Sequence, residues 1–345
     1  MAAPVVLYTD PPWALVDGRA EPDTAAIEHA VYGSAVRLEL GDTSGGRYVT
    51  SGAALAEAVH GVAALAVYRC RVTAELLDAA GPALRVVARQ GVGTDNLDLE
   101  ALRDRGVHSF HVPDYCVDEV ATHAMALLLA LERGIVAQHN GLAGGRFDIY
   151  AGNVPRRLRR RRAGVIGFGR IGKAVAQRLR PFYGEVLAHD PYLHPDLVEG
   201  YGVRAAGFAE LLAESDVVTL HCPLTDETRH LIDREALAGM RPDALLVNAA
   251  RGALIEPEAL HGALSSGRLG GAGLDVFAPE NPHDDPWFAK VVALPNVVVT
   301  SHRAFLSAES EASSRRRVAE GVRYVLETGR PAPFGRLTGE EGLKA

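Results

Sequence analysis

Cysteine is scarce in this chain, with three thiols in 345 residues. Cys70, Cys116 and Cys222 lie far apart, with neither C-x-x-C nor metal-type spacing. No disulfide framework or metal centre is therefore expected, and all three read as buried reduced thiols. Long apolar runs are missing too. None approaches the roughly 18 residues of a membrane span, and the opening MAAPVVLYTDPPW lacks the apolar core of a signal peptide. A cytoplasmic protein is the expectation. Positive charge is not in excess: the net charge of -7 argues against nucleic acid or an anionic membrane as the main partner. There is no internal repeat and no low-complexity linker. What remains is ordinary globular composition, 48% hydrophobic and 23% charged, on a chain long enough for two domains and a sizeable core.

The most informative stretch is 163–172, AGVIGFGRIG. It reads as a buried strand, a glycine turn and a helix that opens with Arg170 and Ile171. Gly167, Gly169 and Gly172 have G-x-G-x-x-G spacing, in which one glycine makes the turn, one admits a pyrophosphate and one lets helix and strand pack closely. Such a turn aims helix N–H groups at phosphate. Ile171, Ala174, Val175 and Leu179 continue at helical spacing, and Pro181 ends the helix. A second apolar run at 185–189 leads into Asp190, an acid placed to hold ribose hydroxyls about 20 residues beyond the glycines. Pro191 and Tyr192 follow it, not an arginine suited to a 2′-phosphate, so NAD is preferred over NADP.

Before that stretch, strand-like runs at 5–9, 36–40, 63–68 and 85–90 alternate with helical segments at 53–60 and 74–80, the pattern of an α/β unit with a parallel sheet. Loops 68–71 and 89–95 follow the last two strands. Strand carboxyl ends are where such folds hold ligands, and the Gly91-Val92-Gly93 turn can offer backbone N–H groups to an anion. The pattern changes at residues 112–115, and 117–131 is a long apolar helix. Residues 139–155 read as irregular, either a partner-binding arm or a loop. Six arginines then fall between Arg156 and Arg162, a run that reads as a solvated face ahead of a polyanion site. Beyond 163, strands at 165, 186, 217–220, 244–247, 271–276 and 297–300 suggest a complete doubly wound nucleotide fold, and 307–327 is a final helix with an apolar stripe.

Each strand of the second unit ends in a polar cluster: His221-Cys222-Pro223-Leu224-Thr225, Asn248-Ala249-Ala250-Arg251-Gly252, Asp275 to Glu280, and Thr300-Ser301-His302-Arg303. An arginine, an acid and a histidine at successive strand ends can supply an anion clamp, an orienting carboxylate and a proton donor for carbonyl reduction. His123 and His221 read as structural.

With these motifs together, the chain resembles the D-isomer-specific 2-hydroxyacid dehydrogenase family over nearly its whole length, through VVARQGVGTDNLDLEAL, GFGRIG, HCPLTDETRHLI, NAARGALIEPEAL, GLDVF and VVVTSH. The 112–131 segment is similar to the branch of the C-terminal-binding proteins and their bacterial enzyme relatives, and HRAFLSAES to D-lactate dehydrogenases. The resemblance implies two doubly wound parallel-sheet α/β domains, a Rossmann NAD-binding domain (113–303) inserted in a flavodoxin-like substrate domain (1–112 and 304–345), with substrate in the cleft between them. It implies catalysis by Arg251, which pairs with the substrate carboxylate, by His302 as proton donor, and by Glu280, which orients His302 and raises its pKa. It places Asp275 at the nicotinamide end and Asp190 at the adenine ribose, with Cys222, Pro223, Thr225, Ala249 and Ala250 in cofactor-binding loops and no metal. A homodimer through the 117–131 helix and the arm after it is also implied.

The departures from the family pattern concern substrate. Ala278 and Asn281 flank Pro279-Glu280 where an acid and a proline are usual, and Arg303 follows His302. Arg69, Arg71, Val92, Gly93, Arg303 and Phe305 are candidate substrate contacts. Either the arginines join Arg251 on a dicarboxylate, phosphorylated or phosphonate substrate, or they face solvent or a partner subunit. The expected activity is hydride transfer between NAD and a small 2-hydroxy or 2-oxo acid. The alternative is an NAD-sensing dimeric scaffold with little turnover.

Overall fold

A computed structural model describes residues 3–152 and 154–338. Asn153 of the expected arm and residues 339–345 of the expected substrate domain lie outside the described residues. The chain forms two compact units, one reaching to Tyr115 and resuming at Ser307, the other running from Cys116 to Leu306.

The first unit is built on five parallel strands: β1 (Val5–Tyr8), β2 (Arg37–Leu40), β3 (Ala64–Val67), β4 (Val86–Arg89) and β5 (His108–His111), in the order β2-β1-β3-β4-β5. All residues of β3 and β4 are buried, β3 as a continuous apolar run covered on both faces and β4 as one that ends in the buried Arg89. Alternate residues serve opposite faces. Val6, Tyr8, Ala64 and Val86 pack with Val318, Val322 and Val325 of the closing helix Ala308–Thr328. Leu7, Leu65, Val67 and Val87 pack with Leu55, Leu76 and Leu102 from three helices on the other side. The sequence pattern does not reveal β5: His108-Ser109-Phe110-His111 has one apolar side chain. Residues from the chain's last segment complete it, with the Ser109 N–H donating to Thr338 Oγ1 (2.8 Å) and the Leu337 N–H to the Ser109 carbonyl (2.9 Å).

Seven parallel strands make the second unit: β6 (Arg162–Ile166), β7 (Glu185–His189), β8 (Arg204–Ala205), β9 (Val217–Leu220), β10 (Leu245–Asn248), β11 (Gly271–Leu274) and β12 (Val297–Val299). Their order is β8-β7-β6-β9-β10-β11-β12. The order reverses between β6 and β9, and at such a switch point the strand ends part to leave a crevice for ligand. The two-residue edge strand β8 goes beyond the six strands expected. The helix Val117–Glu132 lies on one face of this sheet, packing Ala121, Ala124 and Leu128 in a core with Val175 and Leu179 of the helix Arg170–Leu179.

Two corrections follow from the packing. Residues 139–155 are not irregular throughout, because a helix covers Ile135–Ala143. The arginine run is not simply a solvated face. Arg161 is buried and pairs with the fully buried Glu132, whose other oxygen accepts the Tyr183 hydroxyl (2.8 Å). Burial raises the Glu132 pKa, against the opposing pull of Arg161 and Tyr183. Arg162 opens β6 and pairs with Glu185 and Glu214. Among the described residues no single helix is long and apolar enough to cross a membrane.

Candidate active site

Three glycines at the end of β6 differ in what surrounds them. Gly167 turns the chain at φ +86°, and a β-carbon there would come within 2.4 Å of the Cys222 backbone nitrogen. A β-carbon on Gly172 would lie 2.0 Å from the Gly167 carbonyl oxygen. Gly169 is the opposite case: it caps the ten-residue helix Arg170–Leu179, and a β-carbon would meet nothing within 4 Å. The first and third glycines thus permit contact inside the protein, while the second leaves open space at a helix N-terminus, where N–H groups and the helix dipole favour an anion. A dinucleotide's pyrophosphate fits such a cradle. Beside it, Asp190 follows β7 and accepts the Phe168 N–H at Oδ2 (2.8 Å) and the Tyr192 N–H at Oδ1 (3.1 Å). A cavity of about 370 Å³ opens here, with Asp190, Glu199 and Glu210 contributing carboxylates and Leu193 and Val198 apolar walls.

The loop after β9 abuts the glycine turn. His221 Nε2 shares a hydrogen with Thr219 Oγ1 (2.8 Å), and burial pushes its pKa down to about 3, so the imidazole is neutral. Burial pushes the Cys222 thiol up to about 11, which leaves it protonated and a poor nucleophile. Thr228 Oγ1 donates to the Pro223 carbonyl (2.7 Å) and accepts the Thr225 N–H (2.8 Å), which sets the course of this loop.

After β10, Asn248 folds its side chain back on the loop, accepting the Ala250 N–H (3.0 Å) and donating to the Arg251 carbonyl (2.8 Å). The half-buried Arg251 donates from Nη1 to the Ala250 carbonyl (2.8 Å). The sequence places Asn248 in the same strand-end cluster as Arg251 but assigns it no role, although Asn at a strand end is itself a turn signal.

The loop after β12 is wrapped around one carboxylate. Asp275, with no exposed surface, takes the N–H groups of Arg303 (3.0 Å) and Ala304 (2.9 Å) and the Thr300 hydroxyl, and its own carbonyl accepts the His302 N–H (2.7 Å). Burial alone would raise the Asp275 pKa, but hydrogen bonds from His123, Thr300 and these amides outweigh it and hold the carboxyl below its ordinary range. His302 adopts φ +52°, a left-handed conformation that costs a non-glycine residue about 1–3 kcal/mol and that the Asp275 contacts hold in place. Its Nδ1 lies 2.8 and 3.0 Å from the two oxygens of Glu280. A carboxylate only accepts, so Nδ1 carries the hydrogen and Nε2 is left for proton exchange. Phe305 stands edge-on to the His302 ring at 6.3 Å, and Arg303 is exposed.

In the first unit, Asp10 does what no sequence signal claimed for it. Buried after β1, it accepts three consecutive N–H groups, from Tyr68 (2.9 Å), Arg69 (2.6 Å) and Cys70 (2.8 Å). The backbone donors at the end of β3 are thus spent on an internal anion. The exposed side chains of Arg69 and Arg71 project from that loop, Arg69 over the Tyr68 ring at 5.3 Å. Val92 and Gly93 are half-buried, and the Val92 carbonyl accepts from His111 Nδ1 (2.7 Å). Burial, and to a lesser extent Asp10, pushes the Cys70 thiol up to about 12. The signal for Asp10 is the same as for Asp190, an acid directly after an apolar strand.

Residues 125–304 match the family model for the NAD-binding domain of D-isomer-specific 2-hydroxyacid dehydrogenases. Over 257 residues the chain is 42% identical to the D-3-phosphoglycerate dehydrogenase of Mycobacterium leprae, which covers 74% of this chain and 47% of that one. The chain thus spans about half the length of that longer relative. It is 37% identical over 264 residues to the glyoxylate reductase of Korarchaeum cryptofilum, covering 73% of this chain and 75% of the reductase. Among solved structures it is similar to the D-lactate dehydrogenase of Aquifex aeolicus in complex with NAD and lactic acid, at 27% identity and a TM-score of 0.81, with 94% of this chain and 96% of that one covered.

Proposed function

We propose, from the premise that this chain belongs to the D-isomer-specific 2-hydroxyacid dehydrogenase family, that it interconverts a small 2-hydroxy acid and its 2-oxo acid, or a close anionic analogue, with NAD. The observation that carries the reading is the His302 ring held by Glu280 through Nδ1. Bound NAD supplies the hydride chemistry. The open face of Gly169 with the amides at Arg170 and Ile171 receives the pyrophosphate, and Asp190 keeps lone pairs for the ribose hydroxyls. Arg251 pairs with the substrate carboxylate and polarises the carbonyl. His302 gives a proton from Nε2 to the carbonyl oxygen and takes it back in the reverse direction, while the Glu280 carboxylate fixes the ring. Asp275 positions the His302 loop through four hydrogen bonds, three to its carboxylate and one to its carbonyl. Arg303, Phe305, Arg69, Arg71, Val92 and Gly93 remain the candidates for the rest of the substrate, with the arginines suited to a second carboxylate, a phosphate or a phosphonate. The working compartment we propose is the cytoplasm, which suits three free cysteines.

The direct test is the nicotinamide absorbance of NADH mixed with the protein and a panel of 2-oxo acids, among them glyoxylate, hydroxypyruvate, pyruvate and phosphorylated or phosphonate analogues. Turnover of at least one is expected. Failure with all of them, in both directions, overturns the reading.

The three carboxylates at the adenine end would repel a 2′-phosphate, so NAD is the proposed cofactor over NADP. Asp190→Ala should raise the KM for NADH about 10- to 100-fold, the worth of hydrogen bonds to a charged group, and improve relative use of NADPH. Steady-state kinetics with both cofactors checks this.

We also propose a homodimer through the segment after the Val117–Glu132 helix. Phe147, Ile149, Tyr150 and Val154 expose 85%, 73%, 72% and 67% of their surface, an apolar patch that a lone subunit has no reason to keep wet. Light scattering after size exclusion should give the mass of two chains, and Phe147→Asp with Ile149→Asp should give one.

A further inference from the structure

The proposed proton donor His302 is reached from an unexpected direction. His123, on the helix Val117–Glu132, places Nε2 2.9 Å from Thr300 Oγ1 and 3.5 Å from Asp275 Oδ1. Thr300 in turn bonds Asp275 Oδ1. A hydroxyl has one hydrogen to give, and an ionised carboxylate has none. With the Asp275 carboxyl held below its ordinary range, Thr300 donates to Asp275. The hydrogen between His123 and Thr300 must then come from Nε2 of His123. The relay has one direction: His123 Nε2–H to Thr300, Thr300 O–H to Asp275, with Asp275 also taking the N–H groups of Arg303 and Ala304. It terminates on Asp275, the carboxylate to which the two residues that follow His302 also donate. From the sequence His123 reads as structural.

We propose that His123 is a positioning residue for this site: by donating to Thr300 it fixes which way the Thr300 hydroxyl points, and through Asp275 it holds the left-handed backbone that presents the His302 ring to Glu280 and substrate. The proposal rests on the reading of His302 as the proton donor. Without the Nε2 donor, Thr300 is free to turn its hydrogen away, Asp275 loses one of its donors, and the 300–304 loop loses the tie between helix and strand end. The imidazole of His302 then samples orientations in which Nε2 is displaced from the reacting oxygen, an error to which rate is steeply sensitive.

The experiment compares His123→Ala, His123→Gln, Thr300→Val and Thr300→Ser in the full chain. Glutamine keeps an N–H donor near the position of Nε2, and serine keeps the hydroxyl. Expected for His123→Ala and Thr300→Val is a fall in kcat of about tenfold or more, a shifted pH profile and an unchanged Kd for NADH by fluorescence. The glutamine and serine variants should recover most of the rate. In wild-type protein with ¹⁵N-labelled histidine, Nε2 of His123 should carry a hydrogen at neutral pH, a readout that needs no variant to fold. The proposal is overturned if that nitrogen is bare, if His123→Gln is no better than His123→Ala, or if His123→Ala lowers only the melting temperature and leaves kcat and the pH profile as they were. His302→Ala separates the two levels of inference. Should it keep full activity, the functional reading itself fails; should it be inactive while His123→Ala behaves as wild type, only the positioning role fails.

Discussion

Replacing His302 by alanine will lower kcat by about 10²- to 10⁴-fold, the usual worth of a positioned general acid or base, and leave NADH binding unchanged. The separation follows from where the residue sits. The glycine cradle and Asp190 belong to the ends of β6 and β7, whereas His302 is held from β11 and β12 by Asp275 and paired with Glu280. Losing the imidazole removes the proposed proton source without touching the elements proposed to grip the cofactor. Glu280→Gln should give a smaller fall, because an amide oxygen can still accept from Nδ1 but no longer balances a charged ring. Kinetics in both directions, with NADH titration by fluorescence, distinguish these outcomes. A His302→Ala variant that lost NADH binding together with rate would argue for a structural histidine.

Arg161→Ala will destabilise the protein by about 3–5 kcal/mol at neutral pH, because it strands the fully buried Glu132 carboxylate beside the Tyr183 hydroxyl alone. Replacing both partners, as Arg161→Met with Glu132→Leu, should recover most of that loss, since no charge is then left in the core. The pH dependence has a definite sign. The folded-state pKa of Glu132 already lies above its ordinary value, chiefly through burial, with Arg161 opposing the rise. A carboxyl raised on folding binds more protons in the folded state. Its favourable contribution is complete below the ordinary carboxylate pKa and is lost as pH climbs through the raised value. Without Arg161 that value moves higher, so the deficit of the variant should be large at pH 8 and smaller at pH 5. Urea unfolding at the two pH values measures it. A deficit that did not change with pH would mean that Glu132 does not titrate on folding.

Both predictions concern residues whose surroundings were unequally visible in the sequence. A strand with an unbroken apolar run, such as Ala64–Val67, announces itself because a strand covered on both faces has few polar positions. His108–His111 and Arg204–Ala205 carry no such mark. The first is completed by a segment more than 220 residues away, and the second is two residues long at a sheet edge. In the site, Gly167, Gly169 and Gly172 were legible because the chemistry of a close backbone approach demands a fixed local spacing. Arg251, Glu280 and His302 stood out as polar residues at strand ends in contiguous motifs. That Thr300, Arg303, Ala304 and His123 meet at Asp275 was not legible, since they come from 25 to 29 positions along the chain and from a separate helix, and only the fold brings them together. The buried Arg161 was hidden for a plainer reason: within six arginines nothing local tells which one turns inward.

The order in which the two units are threaded has a consequence for how the protein is made. The second unit is one unbroken stretch, so its sheet can close as soon as Leu306 has left the ribosome. The first unit begins earlier yet finishes later, because Val318, Val322 and Val325, which cover one face of its sheet, are synthesised after the whole second unit. Until then Val6, Tyr8 and Val86 face water, and the nascent chain carries a sticky surface through the whole translation of its neighbour. Truncation before the closing helix should therefore send the protein to inclusion bodies, while a fragment beginning at Cys116 and ending at Leu306 should remain in the supernatant.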